Sequence, residues 1–367
     1  MNLAEDISLK RVSNLIVLFT LECTSMSEQG SIRSPTIRDV AKEAGVSAAT
    51  VSRVINGSSG VSAEKSKRVQ QAVERLGYRP NHLARDLSQG TAVDTVGVLV
   101  PQLADEFTGT VVTGIERELR KAGLHMLCAL SHADPEDEEA ALRVFYERRV
   151  SGLILVTPSL PDTKLLDYAH RKVPLVLINR RLPELAAHCI HIDNRRAGYL
   201  ATDYLVSLGH ARVVHIAGPL ARQDARERLA GFTAALNDHG LERHEWRVLE
   251  ASDFTAIAGE KAMRHLLQRG EPSAVFAAND LLAAGALVAL RKAGLRVPDD
   301  VSVVGFDDRS ITQLTQPPLS SIHYPMLEVG CRAARHLADL INKQEVTPLP
   351  LLTPRLVERS SVAPARK

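Results

Sequence analysis

The stretch Thr36-Ile-Arg-Asp-Val-Ala-Lys-Glu-Ala-Gly-Val-Ser47, continued by Thr50-Val-Ser-Arg-Val-Ile-Asn56, decides the fold of the first part of the chain. Ile37, Val40, Ala41 and Ala44 recur at the spacing of an apolar stripe along one helix face. Thr36 stands where an N-cap is needed, and Asp39 three residues on makes a partial capping box. Gly45 supplies the stop. Ser47 can cap a second helix whose Val51, Val54 and Ile55 face inward, leaving Ala48, Ala49, Ser52 and Arg53 on the outer face. Beyond residues 57–60, Ser62 can cap a third helix with the stripe Val69, Ala72, Val73 and Leu76, closed by Gly77. Two helices joined by Gly45-Val46-Ser47 and braced by a third form a helix-turn-helix pattern.

This small headpiece, residues 35–79, is only part of 367 residues, a length that accommodates two to three domains. Apolar residues at 45% and charged residues at 24% are the balance of a globular protein, which excludes disordered and collagen-like classes. The net charge of +2 carries little by itself, but it is unevenly spread. Residues 35–92 hold nine Lys/Arg against five Asp/Glu, so one end suits a polyanion and the near-neutral remainder suits another task.

After a short polar connector, taken as residues 80–92, the texture changes. Apolar β-rich runs at 95–100, 153–156, 175–178, 213–217, 274–278 and 301–306 read as strands. Amphipathic segments at 109–122, 136–148, 196–208, 229–239 and 280–293 read as helices between them. Repeated βαβ units imply parallel sheets buried on both faces, and their number favours two α/β lobes. Ligands of such sheets sit at the carboxyl ends of the strands, which points to the cleft between the lobes.

Taken together with Tyr78-Arg-Pro-Asn81 and Ala84-Arg-Asp-Leu87, the opening motifs resemble the headpiece and hinge of the lactose-repressor (LacI/GalR) family. The resemblance continues through Arg228-Leu-Ala-Gly-Phe232, Ala278-Asn-Asp-Leu281, the segment Val297 to Asp308, and Pro318-Leu-Ser-Ser-Ile322, so it covers nearly the whole chain. It implies a multidomain fold: an all-α helix-turn-helix headpiece and an α/β two-lobed, periplasmic-binding-protein-like core with parallel sheets. The first lobe is expected from 93–193 with 325–352, and the second from 194–324 with 353–367.

The resemblance also implies partners and residues. A homodimer would bind a near-palindromic operator on double-stranded DNA and answer to a small carbohydrate-like effector, a sugar, sugar acid or sugar phosphate. Ala48, Ala49 and Arg53 occupy base-reading positions; Thr50, Ser52 and Asn56 suit phosphates or adjoining backbone. Two alanines offer only methyl contacts, so hydrogen-bond readout falls to Arg53. Thr36, Asn81 and Ala84 complete the DNA set with Leu87, the family's minor-groove wedge. The effector set is Phe107, Arg180, Arg222, Asp224, Arg228, Phe254, Asn279 and Asp307. Arginines could favour an anionic ligand, unless Arg180 and Arg222 are already paired with Asp193 or Asp224.

Other readings are weaker. Cys23, Cys128, Cys189 and Cys331 lie too far apart to hold zinc and fit a reducing cytosol. His188 and His191 would point to opposite faces of a strand, so no metal is expected there. The acidic run 134–139 reads as a solvated helix start. No nucleophile motif or nucleotide loop is present, so neither an enzyme nor a cofactor is expected. Residues 1–34 read as a leader, disordered or over-annotated, with Met26 a candidate start, and no run approaches the ~20 apolar residues of a membrane span. The expectation is a cytoplasmic repressor. Its rivals are a sugar-binding transport or sensor protein without a DNA role and a sugar-modifying α/β enzyme.

Overall fold

The computed structural model describes residues 35–55, 60–78, 94–241 and 247–366. The expectations for 1–34, Asn56, Asn81, Ala84, Leu87 and the connector 80–92 fall outside them. Two compact units divide the chain, one within residues 1–89 and one within 90–367.

In the first unit, α1 (Ile37–Ala44), α2 (Ala48–Ile55) and α3 (Ala63–Leu76) enclose one apolar cluster. Val40, Val51 and Val69, one from each helix, are its fully buried centre. Gly45 ends α1 in the left-handed region at φ 63°, where a Cβ would stand 2.6 Å from Arg68 Nη2. Arg68 reaches from α3 to donate to the Ala44 carbonyl through Nε at 3.0 Å and to the Gly45 carbonyl through Nη2 at 3.1 Å. The free carbonyls at the end of α1 are thereby met by a cation. Ser47 Oγ accepts the Thr50 N–H at 3.1 Å and caps α2.

The second unit holds two α/β lobes. In the first lobe, β1 (Thr95–Val100), β2 (His125–Leu130), β3 (Gly152–Val156), β4 (Leu175–Ile178) and β5 (Cys189–Ile190) pair in parallel in the order β2-β1-β3-β4-β5. The second lobe has β6 (Val213–Ala217), β7 (Val248–Glu250), β8 (Ala274–Ala277), β9 (Ser302–Asp307), β10 (Ser320–His323) and β11 (Arg355–Val357), in the order β11-β10-β9-β8-β6-β7. All its pairs are parallel except β10 with β11. The one antiparallel pair lies at an edge of an otherwise parallel sheet: a strand entering from the other lobe needs no crossover helix. The strands β3, β4, β6 and β8 are buried throughout, because helices cover both sheet faces.

The chain passes between the lobes three times, between Ile190 and Asn194, between His323 and Met326, and between Leu352 and Arg355. The helix Met326–Ile341 therefore packs on β3 and β4 of the first lobe, although it follows a strand of the second. One helix boundary differs from expectation by more than a turn. The segment read as 229–239 starts at Gln223, and the inward side of its first turns carries Asp224, Ala225 and Arg228. Two charges among those three positions hide the apolar period.

The compact His/Cys group is also not a strand. His188 ends a 3-10 helix (Pro183–His188), only Cys189 and Ile190 are extended, and His188 Nδ1 is 2.8 Å from the Leu175 carbonyl.

Candidate functional site

Two surfaces concern function, one in each unit. On the first, α2 exposes Ala48, Ala49 and Arg53, with Thr50 and Ser52 partly covered. Among the described residues no carboxylate pairs with Arg53. Thr36 is partly covered, and both its N–H and its hydroxyl donate to the Asp39 carboxylate at 2.7 Å. The face thus offers two methyl groups and one open guanidinium fork, the combination that meets thymine methyls and a guanine edge in a major groove.

In the second unit the carboxyl ends of both sheets face a cleft of about 680 Å³. The first lobe supplies the residues that follow β1 to β4: Asp105 and Phe107, then His132 and Ala133, then Thr157 to Ser159, then Asn179 and Arg180. The second supplies Arg222, Asp224 and Arg228 after β6, Phe254 after β7, Asn279 after β8, and Asp307 and Arg309 at the end of β9. All eight residues marked out by the resemblance line this one cavity. Backbone geometry sets the cleft apart as well. His132, Ala133, Thr157, Asn179 and Asp307 all have positive φ, conformations that cost energy without glycine and gather at functional sites.

Charge in the cleft is built in pairs. Arg222 forks onto Asp224, Nε to Oδ1 at 3.1 Å and Nη2 to Oδ2 at 3.0 Å, and lies 5.2 Å from the Phe254 ring centre. Arg228, 3% exposed, donates Nε to Asn194 Oδ1 at 2.9 Å and Nη1 to the Ala278 carbonyl at 2.6 Å, with Nη2 3.9 Å from Asp224. Burial alone would raise the Asp224 carboxyl; Arg222 and Arg228 overcome it and hold it at about 2. Asp307 Oδ2 accepts Arg309 Nε at 2.8 Å, and burial pushes its carboxyl up against the pull of Arg309 and Arg228. Arg180 meets Asp162 at 2.5 Å. The pairing weighed in the sequence therefore holds for Arg222, whereas the partner of Arg180 is Asp162, since Asp193 instead caps the helix Asn194–Ser207 through the Arg196 N–H.

Neutral groups complete the wall. Asn279 Oδ1 caps the helix Asp280–Lys292 through the Leu282 N–H at 2.8 Å, and its Nδ2 donates to the Phe254 carbonyl at 3.2 Å. Phe107 meets Tyr324 edge to face at 5.3 Å, and the Tyr324 hydroxyl donates to Asn179 Oδ1 at 2.8 Å. Below lies Asp280, fully buried, its carboxylate accepting Ser321 Oγ at 2.6 Å and the Arg309 N–H at 2.7 Å. Burial and the nearby Asp307 raise its pKa far above the usual carboxylate range.

Sequence reasoning missed Arg309, Asp105 and Glu138. Glu138, read as part of a solvated helix start, is 1% exposed, and its carboxylate accepts the Ser159 and Leu160 N–H groups at 2.8 and 2.9 Å. It pins the loop after β3 that forms part of the cleft wall. The only local signal was its place one turn into an amphipathic helix, which a run of acidic neighbours obscures. For Arg309 the signal was a basic residue directly after the paired Asp307 and Asp308.

Comparison with known proteins agrees with this division. Residues 36–81 match the model of bacterial regulatory proteins, lacI family, and residues 202–362 match a periplasmic binding protein-like domain. The HTH-type transcriptional regulator GalS of Salmonella typhimurium is 38% identical over 332 residues, covering 89% of this chain and 96% of that protein. The crystal structure of the lac repressor dimer bound to operator and the anti-inducer ONPF aligns over 90% of this chain and 100% of its own, at 30% identity and TM-score 0.76. A complex of the transcriptional regulator CelR with cellobiose aligns over 89% of this chain and 99% of its own, at 36% identity and TM-score 0.68.

Proposed function

The chain belongs to the lacI family of bacterial regulatory proteins, and on that premise we propose that its cleft takes an uncharged, hydroxyl-rich metabolite that adjusts the headpiece's grip on operator DNA. It is a helix-turn-helix transcriptional regulator whose relatives are regulators rather than enzymes. Its partners are operator DNA, a sugar-type effector and a second copy of the chain, and its role is that of a repressor. A two-fold dimer presents one recognition helix to each half-site. We place it in the cytoplasm, where its DNA is.

The observation that carries the effector class is the pairing of charge. The cleft lining holds Asp105, Asp224, Asp253 and Asp307 together with Arg180, Arg222, Arg228 and Arg309, so its formal charges cancel. Each of the four arginines already meets a carboxylate. An anionic ligand would have to displace one of these built carboxylates, and each displaced charge would lose its partner in a poorly solvated space. Hydroxyl groups face no such conflict. They donate to Asp307 or Asp224 and accept from Arg222 or Arg228, while the Phe254 ring suits the C–H face of a sugar. We assign effector contacts to Phe107, Arg180, Arg222, Asp224, Arg228, Phe254, Asn279 and Asp307. DNA contacts are assigned to Thr36, Ala48, Ala49, Thr50, Ser52, Arg53, Asn56, Asn81, Ala84 and Leu87, and the lobes take the boundaries given above.

Isothermal titration of the full chain against neutral sugars, the matching sugar acids and sugar phosphates tests the reading. Tight binding confined to neutral sugars, with a shift in operator affinity, is the expected result. Preference for an acid or a phosphate overturns the effector class. Failure to select any duplex from random DNA overturns the operator role.

A further inference from the structure

We propose that Arg309 is the clasp of the cleft: one guanidinium holds Asp105 of the first lobe and Asp307 of the second, tying the lobes together and fixing the Asp307 carboxylate a ligand would use. The inference rests on the cleft reading above and adds to it the residue through which opening and closing are controlled.

The argument begins with the local chain. Asp307 and Asp308 leave β9 with φ of 106° and 57°, a turn that sends the next side chain back into the cleft. Arg309 is then held from several directions. Its N–H donates to buried Asp280 at 2.7 Å, and its carbonyl accepts the Thr312 hydroxyl at 2.6 Å. Its Nε and Nη2 both meet Asp307 Oδ2 at 2.8 Å, and Nη1 donates to Asp105 Oδ1. Asp105 lies in the loop after β1 and caps the helix Glu106–Lys121. Only arginine has donors on three nitrogens in a planar fork that can satisfy two carboxylates in different directions.

Burial makes this arrangement a control on lobe separation. Arg309 is 7% exposed, and moving Asp105 away would leave its guanidinium with one carboxylate where it now has two. A second contact lies beside it. The Glu106 carboxylate accepts the Ser310 N–H at 3.0 Å and the Ser310 hydroxyl at 2.7 Å, again across the lobes. A third contact is separate from this cluster: the Arg181 N–H of the first lobe donates to Gln223 Oε1 of the second at 2.9 Å. If Arg309 draws the lobes together, loosening it should free this third contact too. If Arg309 merely stiffens its own loop, the Arg181 bond should be indifferent.

Hydrogen–deuterium exchange of the full-length protein, without ligand or DNA, reads this directly. Asp105→Asn keeps an N-cap while removing the charge, and Arg309→Gln removes the fork. Each should speed exchange at the Arg181 amide on the order of tenfold, the double variant should add nothing beyond the larger single effect, and Arg309→Lys should restore part of the protection. Faster exchange confined to residues near 307–312, or independent additive effects of the two substitutions, would overturn the clasp. Because the measurement needs no effector, a chain that binds no sugar yet shows this exchange pattern would refute the effector reading and leave the clasp standing.

Discussion

The Arg228 guanidinium carbon lies 3.6 Å from the centre of the Phe306 ring, so a buried cation rests on an aromatic face while its nitrogens serve Asn194, the Ala278 carbonyl and the Asp224 side. Phe306 belongs to β9 and Ala278 follows β8, so this one side chain ties the helix Gln223–Asp238 to two neighbouring strand ends. Arg228→Met should cost about 3–5 kcal/mol in urea denaturation, because it strands buried acceptors and removes a partner of Asp224. Arg228→Lys should recover little, since an ammonium cannot reproduce the planar fork. A variant as stable as the parent would mean that these contacts contribute nothing net.

The helix carrying Arg228 approaches the helix Asn194–Ser207 through glycine. A Cβ on Gly198 would stand 2.2 Å from the Arg228 carbonyl oxygen, which is backbone and cannot swing aside. Gly198→Ala should therefore lower stability by about 1–3 kcal/mol through overpacking and shift the helix that bears Asp224 and Arg228. Chemical denaturation measures the first effect, and weaker sugar binding by calorimetry measures the second.

His215 is the middle residue of β6, fully buried and stacked 4.6 Å from Phe276 and 5.2 Å from Phe232. Burial lowers its pKa from 6.5 to about 4 against the help of the Phe276 carbonyl. The folded protein therefore keeps this ring neutral while the unfolded chain takes up a proton. Its contribution is complete above pH 6.5 and declines as the pH falls toward 4, by about 3 kcal/mol in all. His215→Leu should show a smaller difference between denaturation midpoints at pH 7.5 and 4.5 than the parent does.

On the headpiece, Arg53→Ala should cost about 1–3 kcal/mol per half-site and relax preference at one base pair. Fluorescence anisotropy on operators changed one position at a time gives the readout. A uniform loss on every sequence, with a shallower salt dependence, would assign Arg53 to phosphate instead.

Much of this molecule is legible in short windows of sequence. The stripe Ile37, Val40, Ala41, Ala44 and the caps Thr36 and Ser47 are local properties, and the three headpiece helices follow from them. The strands β1 and β4 are equally plain, since strands covered on both faces are unbroken apolar runs. Legibility fails where a role depends on distance along the chain. Arg309 and Asp105 are 204 residues apart, and nothing near either announces the other. Glu138 takes its meaning from a loop 21 residues later. β2 carries an apolar run from Met126 to Leu130, but no β-branched or aromatic residue in it favours a strand over a helix, and it is only half-covered along its middle. The first turns of Gln223–Asp238 are charged because they face a polar cleft, which removes the signal that locates helices elsewhere.

The three passages of the chain between the lobes have a bearing on how the protein is born. Met326–Ile341 packs on β3 and β4, and Arg355–Val357 completes the other sheet, so neither lobe is finished until nearly the whole message has been read. A ribosome halted near residue 300 would hold a first sheet without its last covering helix, a second sheet three strands short, and a headpiece already able to close its own small core. The part that handles DNA is thus made before the part that holds the cleft is complete.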